Sequence, residues 1–266
     1  MTGSITLVCI RGLLREARHW GVFTALLQRR FPEAQIITPD IPGNGRFNHL
    51  ISPDSIAGMT DALRAQVASR RNLTLIAISM GGMIAIDWMT RYPDEVQSAV
   101  LINTSVRRLS PFYQRLRFSA GLHILKMLFH SPAQRETDIL ALTSNQYAND
   151  ATQLATWQSW QRQNPVSFRN AIRQFLAATK FIMHTQPQQP VLVVAGQADR
   201  LVDYRCSIRL AEILCAAYVQ HETAGHDLPL DEPEWLVETI YRWMVSNGEV
   251  CALDKACEEA DGAVVK

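Results

Sequence analysis

Apolar residues along this chain follow two rhythms. Short unbroken runs rich in Val, Ile and Leu occupy 5–10, 35–38, 73–78, 98–105 and 190–196, with a weaker run at 218–223. The first five are too short and too continuous for amphipathic helices and read as strands buried on both faces. The last reads as a short strand. Between the runs, apolar positions recur every three or four residues over 20–31, 55–71, 81–92, 204–217 and 233–246, the spacing of helices that cover a sheet. The alternation predicts an α/β fold: a mostly parallel central sheet with helices on both faces. Ligands of such sheets gather at the carboxyl ends of the strands.

Residues 106–185 break the alternation. They carry helical patterns (112–130, 165–181) and no convincing strand, which predicts an inserted helical subdomain. The core is then 1–105 and 186–248, and 249–266 loses periodicity and reads as a tail. Trp157, Trp160, Phe168 and Phe175 have near-helical spacing and read as packing within the insertion. They do not suggest a stacking surface for nucleic acid.

Composition narrows the class. With 266 residues, 47% hydrophobic and 19% charged, the chain can bury a large core. No run of eighteen apolar residues is present, so no membrane span is expected. The first residues show no basic segment followed by an apolar signal core. Five scattered cysteines without a C-x-x-C pair point to reduced thiols in a cytoplasm, not to a disulfide or zinc framework. Net charge is +1 but uneven: 106–185 holds ten Lys/Arg against three Asp/Glu, and the remainder sixteen against twenty-two. Near-neutrality overall argues against nucleic-acid binding. The basic insertion reads as a solvated face, or as a surface that steers an anionic substrate or docks an acidic carrier protein.

Chemistry enters at "AISMGG", 77–82, where a buried strand gives way at once to a helix. The pattern Ala77-Ile78-Ser79-Met80-Gly81 matches G-x-S-x-G except for an alanine that is still small. A serine on such a turn presents its hydroxyl above the sheet, beside the amides of a helix N-terminus. It needs a base, and the base needs an orienting carboxylate. Among seven histidines, His226 follows the last expected strand, whereas His221 lies inside it and His19 reads as packing at the first helix. Asp199 follows the strand at 190–196, with Asp203 as the alternative. Ser79, Asp199 and His226 are thus the candidate nucleophile, acid and base. The loop "DIPGNGR", 40–46, lacks G-x-G-x-x-G and reads as a turn.

"IRGLLREARHW", "PDIPGNGR", "AISMGG", "AGQADRLVD" and "GHDLPLDEPEWL" occur in this order and together resemble the α/β-hydrolase fold superfamily, in its cap-bearing, esterase-like branch. The resemblance covers about residues 5–246. It implies that 106–185 is a helical cap roofing the pocket and that the backbone N–H groups of Met80 and Leu13 form an oxyanion hole. It also implies candidate substrate contacts at Arg11, Leu14, Phe112 and Leu201. Where the family usually has His-Gly, this chain has Arg11-Gly12, so Arg11 either pairs with a nearby carboxylate or reaches an anionic substrate. The expected activity is cofactor-free and metal-free hydrolysis of a small carboxylic ester. Alternatives are a thioester or methyl ester on a carrier protein or coenzyme A, a lactone or carbon–carbon bond, and a non-catalytic binding member of the fold.

Overall fold

The computed structural model describes residues 5–127 and 129–250; of the tail expected at 249–266, Glu249 instead accepts from Ser98 Oγ (2.7 Å) and Thr74 Oγ1 (3.3 Å) on the sheet, and 251–266, with Cys251 and Cys257, lie outside the described residues. Strands β1 (Thr6–Ile10), β2 (Gln35–Ile37), β3 (Leu73–Ile78), β4 (Val96–Ile102), β5 (Val191–Gly196) and β6 (Ala217–His221) form one sheet in the order β2-β1-β3-β4-β5-β6. Every pairing is parallel. Strands β1, β3 and β5 are buried at every position, which is why their sequences are continuously apolar. The edge strands β2 and β6 are half-exposed and carry polar residues.

Successive side chains of a strand point to opposite faces, and β1 divides its residues accordingly. Val8 and Ile10 join one apolar cluster with Met59 and Leu63 of α2 (Ile56–Arg64) and Ile84 and Trp88 of α3 (Met80–Arg91). Leu7 and Cys9 join the other, with Phe23 and Leu27 of α1 (Phe23–Arg30). Cys9 behaves as a small hydrophobe, and burial pushes its thiol up to about 12.

Among the described residues, five helices lie between β4 and β5: α4 (Phe112–Arg115), α5 (Phe118–Met127), α6 (Pro132–Thr143), α7 (Ala151–Gln163) and α8 (Phe168–Lys180). After β5 come α9 (Arg205–Leu214), a short α10 (Leu228–Asp231) and α11 (Pro233–Ser246), which packs against α1. Several boundaries differ from those expected, and two of them have a visible cause. Strand β4 ends at Ile102 instead of 105: Asn103 still donates its N–H to Val194 O of β5 (3.0 Å) but takes φ 48° and turns the chain off the sheet. Helix α2 ends at Arg64 instead of 71; Gln66 then pairs both ends of its amide with the backbone of Asp40.

Candidate active site

Ser79 stands between β3 and α3 at φ 57°, ψ −121°, a region that a side chain with Cβ rarely occupies. The turn is fixed on both sides: Ser79 N–H donates to Ile102 O (2.8 Å), and Thr104 Oγ1 donates to Ser79 O (3.2 Å). Small neighbours are needed because α3 runs back close against β1. A Cβ on Gly81 would lie 2.4 Å from Ile10 O and 2.8 Å from Arg11 O. Gly12 packs on the other side, where an added Cβ would sit 3.6 Å from the Ser79 hydroxyl. Ser79 is half-exposed, and Met80 opens α3, so its amide is one of the first-turn donors without an intrahelical acceptor.

Asp199 and His226 reach the same edge of the sheet from the loops after β5 and β6. His226 Nδ1 lies 2.7 Å from Asp199 Oδ2, and both residues are buried. The other carboxylate oxygen, Oδ1, accepts from Leu201 N–H (2.7 Å) and Val202 N–H (2.9 Å). A carboxylate held this way accepts from His226, so the imidazole carries its proton on Nδ1 and keeps Nε2 as the free acceptor. Asp203 is turned elsewhere: Oδ1 takes the Arg205 amide, and Oδ2 faces Arg117 at 3.7 Å. His221 lies edge-on to Trp235 and accepts from Ala224 N–H, a packing role.

A residue that drew no attention in the sequence holds this edge together. Asn103 Oδ1 accepts from Gly196 N–H (2.9 Å), while its Nδ2 donates to Gly225 O (3.2 Å) and His226 O (2.8 Å). It thereby ties the end of β5 to the loop that carries the histidine. No local pattern singles it out, because its partners are about a hundred residues away.

The remaining candidates separate. Arg11 donates through Nη1 and Nη2 to Oδ1 and Oδ2 of Asp227 (3.0 and 2.6 Å), and its guanidinium lies 5.0 Å from the Trp20 ring centroid. Its charge is therefore engaged within the fold. Leu13 is half-buried against the core. Leu14 takes φ 61° and gives its N–H to Gln174 Oε1 (3.0 Å) from α8. Leu201 is half-buried and accepts from Arg117 N–H, whereas Phe112 is 83% exposed and walls no buried pocket here.

A cavity of about 590 Å³ adjoins the acid loop, lined by Arg117, Ser119, His123, Leu142, Asp199 and Arg200 among others. Ser79 and His226 are not among its lining residues, so it is not the space above the serine hydroxyl. Among the described residues, no helix is long and apolar enough to cross a membrane, and no three His, Cys, Asp or Glu side chains are gathered as metal ligands would be.

The fold is a parallel sheet covered by helices on both faces, with a serine on a positive-φ turn and a carboxylate–imidazole pair at the carboxyl ends of its strands. The chain belongs to the Alpha/beta hydrolase family, which it matches over residues 7–239. Membership assigns it to the hydrolases. It is 25% identical over 257 residues to the RutD protein of Rhizobium rhizogenes, named for carbamate hydrolysis, covering 92% of this chain and 94% of that one. A shorter match, 33% over 94 residues and 34% of each chain, is to the pimeloyl-[acyl-carrier protein] methyl ester esterase of Chromobacterium violaceum. The thermophilic esterase of Thermogutta terrifontis superposes with TM-score 0.70 at 20% identity, over 92% of this chain and 90% of that one, a likeness of fold.

Proposed function

We propose that the protein hydrolyses carboxylic esters through Ser79, His226 and Asp199. The observation that carries the reading is the Nδ1–Oδ2 contact of 2.7 Å between His226 and Asp199, at the sheet edge where Ser79 takes its strained turn. In this mechanism the Ser79 hydroxyl attacks the acyl carbon while His226 Nε2 takes its proton. The Asp199 carboxylate, itself fixed by two backbone amides, holds the ring tautomer and stabilises the imidazolium. The amides of Met80 and Leu13 receive the oxyanion. The proton then passes to the leaving alcohol, and water, activated by the same imidazole, releases the acid and restores Ser79.

Replacing Ser79 by alanine is expected to lower kcat on an activated short-chain ester by roughly 10⁴–10⁶-fold while leaving the thermal midpoint near wild type. Turnover within tenfold of wild type would sink the mechanism. Asp199→Asn should cost on the order of 10⁴ in kcat, since the wrong tautomer is then favoured. Asp203→Asn should cost far less, and the reverse ranking would reassign the acid.

A further inference from the structure

Asn103 and its two neighbours touch all three segments that carry the candidate triad. Strand β4, which ends at Ile102, lies between β3, which leads to Ser79, and β5, which leads to Asp199. Ile102 O accepts the Ser79 N–H, and Thr104 Oγ1 donates to Ser79 O, which also accepts from Gly82 N–H (3.0 Å). A Cβ on Gly82 would lie 2.0 Å from Thr104 Oγ1, so this hydroxyl sits against the first turn of α3. Asn103 serves the other two segments. Its carboxamide joins Gly196, whose carbonyl accepts the Asp199 N–H (3.3 Å), to Gly225 and His226. Ile102, Asn103 and Thr104 are all buried.

The sheet ladder stops short of the acid and the base. Pairing of β5 with β6 ends at Gly196 opposite His221, so Asp199 and His226 both stand on loops beyond it. Sheet hydrogen bonds no longer set their spacing there, and other contacts have to. The Asn103 carboxamide spans this gap: its oxygen binds the last residue of β5, and its nitrogen binds the main chain of the base itself. It does so from a left-handed backbone, φ 48°, which asparagine adopts more readily than most residues. Its partners are main-chain groups, so it fixes positions without touching the reacting atoms. On the other side, Thr104 holds the carbonyl of a serine whose own φ of 57° is strained. A carboxamide and a hydroxyl on adjacent residues thus tie the nucleophile turn to the acid and base loops through one buried strand end.

We infer that Asn103 and Thr104 are positioning residues, which hold Ser79 at the separation from the His226–Asp199 pair that proton transfer needs. The inference rests on the esterase reading of those three residues. It adds that the end of β4, and not the loops alone, sets their mutual geometry.

Two measurements test it: kcat per active site titrated with a fluorophosphonate, and the low-field proton resonance expected of His226 Nδ1–H against Asp199, which needs no turnover. Asn103→Gly keeps the left-handed backbone accessible and removes only the carboxamide. Its kcat per titrated site should fall about tenfold to a hundredfold with KM changed less than about threefold, and the resonance should shift or broaden away. Thr104→Val removes the hydroxyl at nearly constant shape and should lower kcat about tenfold, while the resonance stays, because Thr104 touches only the serine side. Thr104→Ser should rescue kcat to within about threefold of wild type. If Asn103→Gly does not fold, the Val and Ser variants still decide for the strand end. A lower thermal midpoint with wild-type kcat per site and an unchanged resonance in Asn103→Gly overturns the inference and leaves a structural tie. Equal kcat in Thr104→Val and Thr104→Ser overturns it as well. Ser79→Ala turning over like wild type would instead sink the esterase mechanism, and the resonance in Asn103→Gly would still show whether Asn103 holds the acid–base pair.

Discussion

Arg11 and Asp227 bury two full charges, with about 4% of each side chain exposed. Such a pair is maintained by mutual geometry, and its two parallel hydrogen bonds use both carboxylate oxygens. Whether it adds net stability over apolar residues of equal volume is a separate question from what its breakage costs. Arg11→Met strands a buried carboxylate and should lower unfolding free energy by about 3–5 kcal/mol. Adding Asp227→Leu to it should restore most of that loss. Urea unfolding of the two variants decides the matter: a double variant no more stable than Arg11→Met would mean that the arginine acts through something other than this pair. Asp227 directly follows His226, so the pair also anchors the loop that carries the imidazole, which gives the arginine in "RGLL" a place in the fold without a substrate.

At the scale of elements, the inserted helices hold both sides of the sheet edge. On one side Gln174 of α8, fully buried, accepts from Leu14 N–H and donates to Asn44 Oδ1 (2.7 Å) and Ser52 Oγ (2.9 Å). On the other, Thr143 O accepts from Asp227 N–H, and the Asp231 carboxylate accepts from Ser144 Oγ, Asn145 N–H and Gly225 N–H. The turn at Leu13-Leu14 therefore takes its shape from a helix 160 residues away in the sequence. Gln174→Leu removes that acceptor at nearly constant volume. If Leu13 N–H serves the oxyanion, kcat should fall on the order of tenfold to a hundredfold with KM changed less than about threefold. Equal losses in KM and none in kcat would leave Gln174 a purely structural residue. These contacts mark the limit of what the sequence discloses. The strands were legible because burial on both faces leaves an unbroken apolar run, and Asp199 and His226 were within reach because each follows a strand end. Helices α6 and α7 went unpredicted, although Ser131-Pro132 with Gln134 and Asp150 with Gln153 are readable start signals. Asn103, Gln174 and Asp227 were not legible, because a polar pairing between distant segments leaves no period and no local motif.

For the molecule as a whole, a buried cluster around Arg15 and His19 adds a further latch between the insertion and the core. Arg15 donates to Glu136 Oε2 of α6 (2.8 Å) and lies 4.6 Å from the Trp157 ring centroid. His19 sits edge-on to Trp157 and Trp160 of α7, and Arg18 donates to Gln163 Oε1. Both nitrogens of His19 face donors, the Glu16 amide on Nδ1 (3.2 Å) and Arg15 Nη1 on Nε2 (3.0 Å). A neutral ring can accept from one of them, and an imidazolium from neither. Burial first, then the charges of Arg15, Arg11 and Arg18, hold its pKa well below the ordinary 6.5. The sign follows from proton counts. Above the unfolded value both states are neutral and the stability is fully present. Below it the unfolded chain binds a proton that the folded chain refuses, so stability falls as pH falls, by up to about 1.4 kcal/mol per unit, until the folded pKa is reached. Asp40, raised by burial, acts in the opposite sense within the carboxylate range, so the wild-type curve alone is ambiguous. Comparison with His19→Gln isolates the latch: between about pH 7 and 5.5 the wild type should lose stability more steeply than the variant, by a difference approaching that slope. Parallel curves in urea titrations across this range would show that His19 titrates alike in the folded and unfolded chains.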